Sequence, residues 1–115
     1  FGFKHGPEPA EYVFDVRFLA NPYWVADLRP YTGRERPVAD YVLESEAGVR
    51  LLELLEPLLA FLIDQFAATG REAMTLAIGC TGGRHRSVAL VEHLGAVLHA
   101  QGYTPEVHHR DIDKE

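Results

Sequence analysis

The sequence predicts an α/β fold, in which a small parallel or mixed sheet is flanked by helices and carries an anion-binding strand–loop–helix. Short segments with strand-like alternation are separated by segments with helical spacing of apolar residues, which is the order that packs helices on the faces of a sheet. A buried-looking strand also runs directly into a glycine- and arginine-rich segment, residues 79–88, after which a helical pattern begins. The length of 115 residues, 47% of them hydrophobic, fits one domain with a single core.

The first predicted strand covers residues 12–19. Phe14, Val16 and Phe18 fall on one face, and alternation of this kind is typical of a half-buried strand. Asp15 and Arg17 share the other face, where they form either a mutual ion pair or part of a site.

Two helices are predicted after a long loop. Pro37 stands at the first turn of a short helix over residues 38–44, where the missing N–H is tolerated. Residues 47–68 keep helical spacing, and Gly70 is placed to end that helix. Pro57 lies inside it and predicts a kink or two abutting helices.

The second half reads as a strand–loop–helix–strand unit. The strand covers residues 74–78, the helix residues 87–100, and a closing strand residues 106–111, with Gly102 ending the helix. Ligands of such sheets bind at the carboxyl ends of the strands. We therefore expect the ends of the first two strands to open on one rim.

Composition excludes some function classes. Eleven basic against seventeen acidic residues give a net charge of −6, so no general attraction to nucleic acid or to a membrane is expected. A single cysteine rules out an internal disulfide and suits the reducing cytoplasm. No signal peptide is recognisable, the apolar segment 51–66 is broken by charges, and the missing initial Met predicts a fragment of a longer chain.

The segment 80–87, called the anion loop below, is the strongest candidate site. Glycines let backbone N–H groups turn inward, and the start of a helix adds unpaired amides and the positive end of its dipole. The arginines supply planar donors that match phosphate oxygens. The predicted phosphate-binding residues are Cys80, Thr81, Gly82, Gly83, Arg84, His85, Arg86 and Ser87.

A catalytic alternative stays open for the same loop. Five residues separate Cys80 from Arg86, as in the Cys-x5-Arg-Ser/Thr loop of cysteine-dependent phosphatases, whose thiolate attacks phosphorus. Gly79 stands where those enzymes usually carry histidine. Such an enzyme also needs a carboxylic acid over the leaving group, and neither Asp15 nor Asp111 is singled out for that role.

A structural alternative also exists. Cys80 is compatible with a small buried hydrophobe, and the paired glycines with a plain turn. The concentration of Arg84, His85 and Arg86 beside those glycines is not explained in this way, so we favour binding, with no catalytic residue.

Further candidates carry weaker signals. His108 and His109 resemble a metal pair, but neighbouring strand residues point to opposite faces, so no metal site is predicted. Residues 109–111 lie either at a strand end near the site or on a solvated edge. Lys4 and His5 are able to reach a phosphate, and Tyr23 and its neighbour Trp24 are able to stack on a sugar or base or to pack in an interface.

Taken together, these residues resemble the carboxyl-terminal domain of the RapZ/YvcJ family. The matches span almost the whole chain in order, and the ten-residue loop is far more specific than a lone glycine motif. The matching segments are Phe1-Gly2-Phe3-Lys4-His5-Gly6, Val13-Phe14-Asp15-Val16-Arg17-Phe18-Leu19, Asn21-Pro22, Leu28-Arg29, Thr32-Gly33, Ile78-Gly79-Cys80-Thr81-Gly82-Gly83, His85-Arg86-Ser87-Val88 and His109-Arg110-Asp111.

The resemblance implies a single ligand-sensing domain, residues 1–115, of a longer protein whose amino-terminal P-loop domain is absent here. That domain binds ATP or GTP in the family, so no cofactor is expected in this chain. In enterobacterial RapZ the carboxyl-terminal domain senses glucosamine-6-phosphate, binds small RNAs and acts as an oligomer. Gram-positive members are tied to cell-envelope precursors and are expected to sense nucleotide sugars such as UDP-N-acetylglucosamine.

By position, the resemblance assigns Asp15, Arg17 and Asn21 to the strand end that faces the anion loop. It assigns His109 and Arg110 to the closing strand. Together with Tyr23, Lys4 and His5, these are the predicted additional ligand-binding residues.

Two departures from the family bear on the ligand. RapZ has a histidine among its sugar-phosphate contacts where this chain has Tyr23, which leaves the sugar open. RapZ also ends in a basic tail that suits RNA, whereas the last six residues here are on balance acidic. Because phosphate contacts supply much of nucleic-acid affinity, a small-RNA adapter function is disfavoured.

Overall fold

Two parallel strands and three α-helices form the fold. The structure is a computed structural model that describes residues 1–114. The elements are β1 (Tyr12–Asp15), α1 (Arg36–Leu43), α2 (Glu46–Ala68), β2 (Leu76–Gly79) and α3 (Arg86–Ala100), with single-turn 3-10 helices at Phe3–His5 and Pro22–Trp24. The predicted α/β class with a parallel sheet is confirmed.

Strand β2 is paired with β1 along one edge and, at its carboxyl end only, with the amino-terminal residues along the other. On one side it runs parallel to β1, with Tyr12 opposite Leu76. On the other side Gly2 forms a parallel bridge with Cys80, and the Phe3 N–H donates to the Cys80 carbonyl at 2.8 Å. The amino-terminal residues are thereby fixed beside the beginning of the anion loop.

The core lies where the helices cover this sheet. Its fully buried members come from the three helices, from β2 and from the segment that follows β1, namely Val16, Leu19, Val42, Leu55, Leu59, Ile78, Leu90 and Leu94. Each fully buried aliphatic side chain contributes roughly 1.5–3 kcal/mol, so the sheet end that carries the loop is held by the whole core.

Helix α2 is one uninterrupted helix, so the prediction of two abutting helices at Pro57 is wrong. Ser45 caps its start by accepting a hydrogen bond from the Gly48 N–H at 3.1 Å. Leu55 and Leu59, on either side of Pro57, are both buried in the same core. Their packing on a shared face outweighs the hydrogen bond that the proline removes.

Strand β1 is shorter than the sequence predicts. It ends at Asp15, where the Arg17 N–H donates to the Asp15 carboxylate at 3.0 Å and starts a turn. Val16 is buried, but Phe18 is 62% exposed instead of continuing the inward face. The local side-chain hydrogen bond therefore overrides the alternating pattern.

The predicted strand over residues 106–111 is wrong. The chain is irregular there and runs along α3, with Val107 against Gly95 and His109 beside Glu92. The segment packs on a helix and does not pair in the sheet. No helix among residues 1–114 is long and apolar enough to cross a membrane.

Candidate anion-binding site

A cleft of about 790 Å³ opens between the anion loop and residues 21–30. The loop follows β2 and leads into α3, so the cleft lies at the carboxyl end of a parallel strand, as predicted. Its lining residues are Lys4, Asn21, Tyr23, Trp24, Ala26, Arg29, Pro30, Cys80, Thr81, Gly82, Arg84, His85 and Arg86.

The cleft has a strongly positive lining. Four side chains in it are cationic, Lys4, Arg29, Arg84 and Arg86, and no aspartate or glutamate of residues 1–114 lines it. The chain as a whole carries a net charge of −6. Positive charge gathered in a concave surface focuses the field and concentrates anions there.

The backbone of the loop adds donors to this charge. Within the described part of the chain, no backbone carbonyl accepts a hydrogen bond from the amides of Thr81, Gly82 or Arg84. Gly83 takes a φ of 78°, a left-handed conformation that favours glycine and lets the loop reverse. Helix α3 begins at Arg86, so the positive end of its dipole lies beside the cleft.

Arg86 is a fixed positive charge and not a freely moving clamp. The residue is only 5% exposed, and its guanidinium donates to the carbonyls of Arg17 and Leu19. A further N–H lies 3.4 Å from the Thr81 hydroxyl. Its Nε is buried without a hydrogen-bond partner among the described residues.

Arg84 is partly occupied by a structural role. Its Nε donates to the Ile112 carbonyl at 3.0 Å and anchors the end of the chain. Its backbone carbonyl accepts from the Gly33 N–H at 2.9 Å. A Cβ at Gly33 would lie 2.4 Å from the His85 carbonyl oxygen, so only glycine fits there, and the Thr32-Gly33 turn supports the loop from behind.

Cys80 is buried at the start of the loop. Its Sγ lies 3.4 Å from the Ser87 hydroxyl and 3.4 Å from the Ser87 amide. Burial raises the pKa of the Cys80 thiol, but hydrogen bonds from Ser87 and Gly83 and the charge of Arg86 outweigh it and lower the pKa overall. Cys80 is 2% exposed and belongs to the lining of the cleft.

His85 joins the two sides of the cleft. Burial lowers the pKa of His85, despite opposing hydrogen bonds to backbone carbonyls. The neutral ring donates from Nε2 to the Arg29 carbonyl at 3.1 Å. His85 therefore acts here as a structural donor that fixes residues 21–30 against the loop.

Aromatic side chains form the outer part of that second side. The Arg29 guanidinium lies 4.9 Å from the centre of the Tyr23 ring, and Tyr23 contacts Trp24 edge to face at 5.1 Å. Trp24 is 75% exposed. Asn21 accepts a hydrogen bond from the Tyr23 N–H at 3.1 Å and fixes this turn.

Some predicted residues lie elsewhere. Asp15 and Arg17 pair with each other at 2.6 Å, and the Arg17 hydrogen bonds lower the pKa of Asp15 to about 2. The Arg17 guanidinium lies 4.2 Å from the centre of the Phe3 ring, and neither side chain lines the cleft. His5 also lies outside the lining. Of the additional predicted residues, only Lys4, Asn21 and Tyr23 join the loop.

His109 and Arg110 are likewise outside the cleft. His109 Nε2 lies 3.5 Å from the Glu92 carboxylate, while burial lowers the pKa of His109. Arg110 donates to the Gly6 carbonyl and to the Asp111 carboxylate, both at 2.8 Å. Arg110 thus ties the carboxyl-terminal turn to residues 2–8, whereas His109 packs against α3.

Sequence reasoning missed Ala26, Arg29 and Pro30 as lining residues. The available signal was a basic residue in a loop that starts at Asn21 and carries two aromatic residues. No helical or strand periodicity marks these lining residues, because they belong to irregular turns.

In residues 1–114, no three His, Cys, Asp or Glu side chains converge as metal ligands would.

Known proteins resemble the chain along its whole length. The chain is 51% identical to a nucleotide-binding protein of Nitratidesulfovibrio vulgaris over 98% of its length, and 49% identical to one of Bifidobacterium adolescentis over 99%. It spans 39% and 37% of those two proteins, respectively. The profile of the RapZ C-terminal domain matches residues 1–113. The chain belongs to the RapZ C-terminal domain family.

Proposed function

We propose that this chain is a regulatory, ligand-sensing domain that binds a phosphorylated amino sugar or a nucleotide sugar in the cleft. Glucosamine-6-phosphate and UDP-N-acetylglucosamine represent the two ligand types. The observation that carries the proposal is the concentration of four cationic side chains on a cleft of an acidic chain, with no carboxylate of residues 1–114 in the lining.

The two sides of the cleft suit the two parts of such a ligand. The free amides of the anion loop, Arg86 and the Thr81 hydroxyl offer donors to phosphate oxygens. Charge-assisted hydrogen bonds contribute roughly 1.5–3 kcal/mol each. Tyr23 and Trp24 offer exposed aromatic faces to a sugar or base. The anion loop would therefore hold the phosphate of the ligand, and the aromatic side chains would select the sugar or base attached to it.

The names and lengths of the relatives support a further, nucleotide-binding part of the protein, to which this domain would signal. They carry the name nucleotide-binding protein, and this chain spans about two fifths of their length. We place ATP or GTP in the remaining part of such a protein, and no cofactor in this domain. Occupancy of the cleft would then be passed to that P-loop domain, and to further copies in a homo-oligomer, in the cytoplasm.

Calorimetry and thermal unfolding test this proposal. The protein is titrated with glucosamine-6-phosphate, UDP-N-acetylglucosamine and inorganic phosphate. A ligand at 100 times its Kd adds about 2.7 kcal/mol of stability, which raises Tm by roughly 10 °C for a domain of this size. Heat and a Tm shift with a sugar phosphate, larger than with phosphate alone, are expected; no response to any of the three contradicts sensing.

A cysteine-dependent phosphatase is the second candidate, favoured by the lowered pKa of the Cys80 thiol beside Arg86 and Ser87. Against it, no carboxylic acid among residues 1–114 lines the cleft. Asp15 is paired with Arg17, and Asp111 is buried beneath Arg110 and Lys114. Neither is placed to protonate a leaving group.

The substitution Cys80→Ser separates the two functions. In a sensor, it leaves anion affinity within about threefold, because serine keeps a small polar group beside Ser87. In a phosphatase, it removes all phosphate release from a small phosphoester. Measurable turnover in the natural protein that vanishes in the variant would favour the enzyme.

A further inference from the structure

A second groove lies on the opposite side of β2 from β1, away from the anion cleft. It has a volume of about 540 Å³ and shares no lining residue with the cleft. Strand β2, both long helices and residues 103–107 form its walls. Most of the side chains along it are aliphatic, including Leu59, Ile63, Leu76, Leu94 and Leu98.

One edge of β2 is only half paired beside this groove. Thr75 and Gly79 accept hydrogen bonds from β1, whereas Ile78 and Cys80 accept from Phe1 and Phe3 on the other side. Successive residues of a strand direct their peptide groups to alternate sides. The peptide group of Leu76 therefore points to the same side as that of Ile78, where no backbone group of residues 1–114 pairs with it.

The pairing that exists has a direction and a register. Phe1–Phe3 runs parallel to β2, with Gly2 opposite Cys80 and the Phe1 nitrogen 2.9 Å from the Ile78 carbonyl oxygen. An extended chain advances about 3.3 Å per residue. Residues that precede Phe1 and keep this register would lie beside Ile78 and then beside Leu76. They would therefore run along the groove.

We propose that this groove receives, as a further parallel strand on β2, the residues that lead into Phe1 in the full-length protein. The relatives are long enough to supply them, since this chain spans 37–40% of their length. A strand on this edge gives partners to the open N–H and carbonyl of Leu76 and to the open N–H of Ile78. Its inward side chains cover the aliphatic walls.

The same strand ends at the anion cleft. The Phe3 and Lys4 amides donate to the Cys80 and Thr81 carbonyls at 2.8 and 3.1 Å, and the Lys4 side chain lines the cleft. The added strand would thus be covalently continuous with residues 1–4, which are hydrogen-bonded to the start of the anion loop. This inference does not depend on which ligand the cleft binds.

Residue-resolved amide exchange in the full-length protein tests it. Ala77 serves as the internal control, because it lies between Thr75 and Gly79 and faces β1. We expect the amides of Leu76 and Ile78 to exchange within about tenfold of Ala77, as they do in a strand paired on both edges.

Two results would overturn the proposal. Exchange at Leu76 and Ile78 that is roughly a thousandfold faster than at Ala77 would show an open edge. Protection that appears only as protein concentration rises would show that a second copy occupies the groove. Because the measurement needs no ligand, its failure would leave the sensing function untouched.

Discussion

The anion cleft and the carboxyl-terminal turn, residues 109–114, contain similar cationic side chains in opposite electrostatic settings. In the cleft, Lys4, Arg29 and Arg86 have no carboxylate among the lining residues. In the turn, Arg110 and Lys114 both contact the carboxylate of Asp111, at 2.8 Å each.

This difference shows why residue type alone does not identify a binding site. A cation paired with a buried carboxylate is already neutralised and contributes to folding, whereas a cation whose neighbours are amides and carbonyls attracts an anion. Both regions looked like ligand contacts in the sequence. The neighbouring acidic residues determine which of the two regions has cationic side chains that are free to bind an anion.

Among the proposed substitutions, we expect the largest effect on stability in the carboxyl-terminal turn. Asp111 is fully buried and accepts hydrogen bonds from the Gly2 amide at 2.7 Å, from Arg110 and from Lys114. Removing one partner of a buried charged network costs about 3–5 kcal/mol. We expect Asp111→Ala to lower the free energy of unfolding in denaturant by about that amount.

The neighbouring carboxylate provides the control for this variant. Asp113 is exposed, and Asp113→Ala removes the same charge, so it should change the free energy of unfolding by no more than about 0.5 kcal/mol. Equal effects of the two substitutions would show that the turn is not a structural network.

An intermediate effect is expected on ligand affinity at the cleft. Lys4→Met removes one lining cation but keeps the backbone pairing of residue 4 with Thr81. We expect about a tenfold loss of affinity for glucosamine-6-phosphate, which is about 1.4 kcal/mol, in calorimetry. Arg36→Met removes a similar charge from the exposed start of α1 and should change the affinity less than twofold.

The smallest effect is a pH dependence of stability. Burial lowers the pKa of His85 in the folded protein. As pH falls below about 6.5, the ordinary value for histidine, the unfolded chain therefore binds protons first and the folded state loses stability. We expect the free energy of unfolding to decrease between pH 7.5 and 5.5.

His85→Gln sharpens this test, because glutamine retains an N–H donor for the Arg29 carbonyl. The variant should lose less stability over the same pH range, with the remainder attributable to His109, whose pKa burial also lowers. An identical pH profile for both proteins would contradict the buried, neutral state of His85.

The strand, anion loop and helix were predictable from sequence because their signals are local. Glycines at the turn, apolar spacing after Ser87 and the alternation before Gly79 each reflect neighbouring residues. The sequence left the role of Asp15 and Arg17 undecided, because their spacing is compatible with an ion pair or with a site. The geometry of the turn shows that they form an ion pair.

The remaining features depend on contacts between distant segments. Residues 106–111 were predicted to close a strand–loop–helix–strand unit, but Val107 packs on Gly95 of α3 instead. Arg29 reaches the cleft because His85 holds its carbonyl, a contact between residues 56 positions apart. Neither contact leaves a pattern that a single sequence displays.

The central claim is that the anion loop binds phosphate oxygens, and amide chemical shifts test it most directly. The protein is titrated with glucosamine-6-phosphate while the amide signals of Thr81, Gly82 and Arg84 are followed together with that of Arg110. We predict saturable shifts at the three loop amides and none beyond the background at Arg110. Unchanged loop signals, or shifts that are as large at Arg110, would contradict the assignment of the site to the cleft.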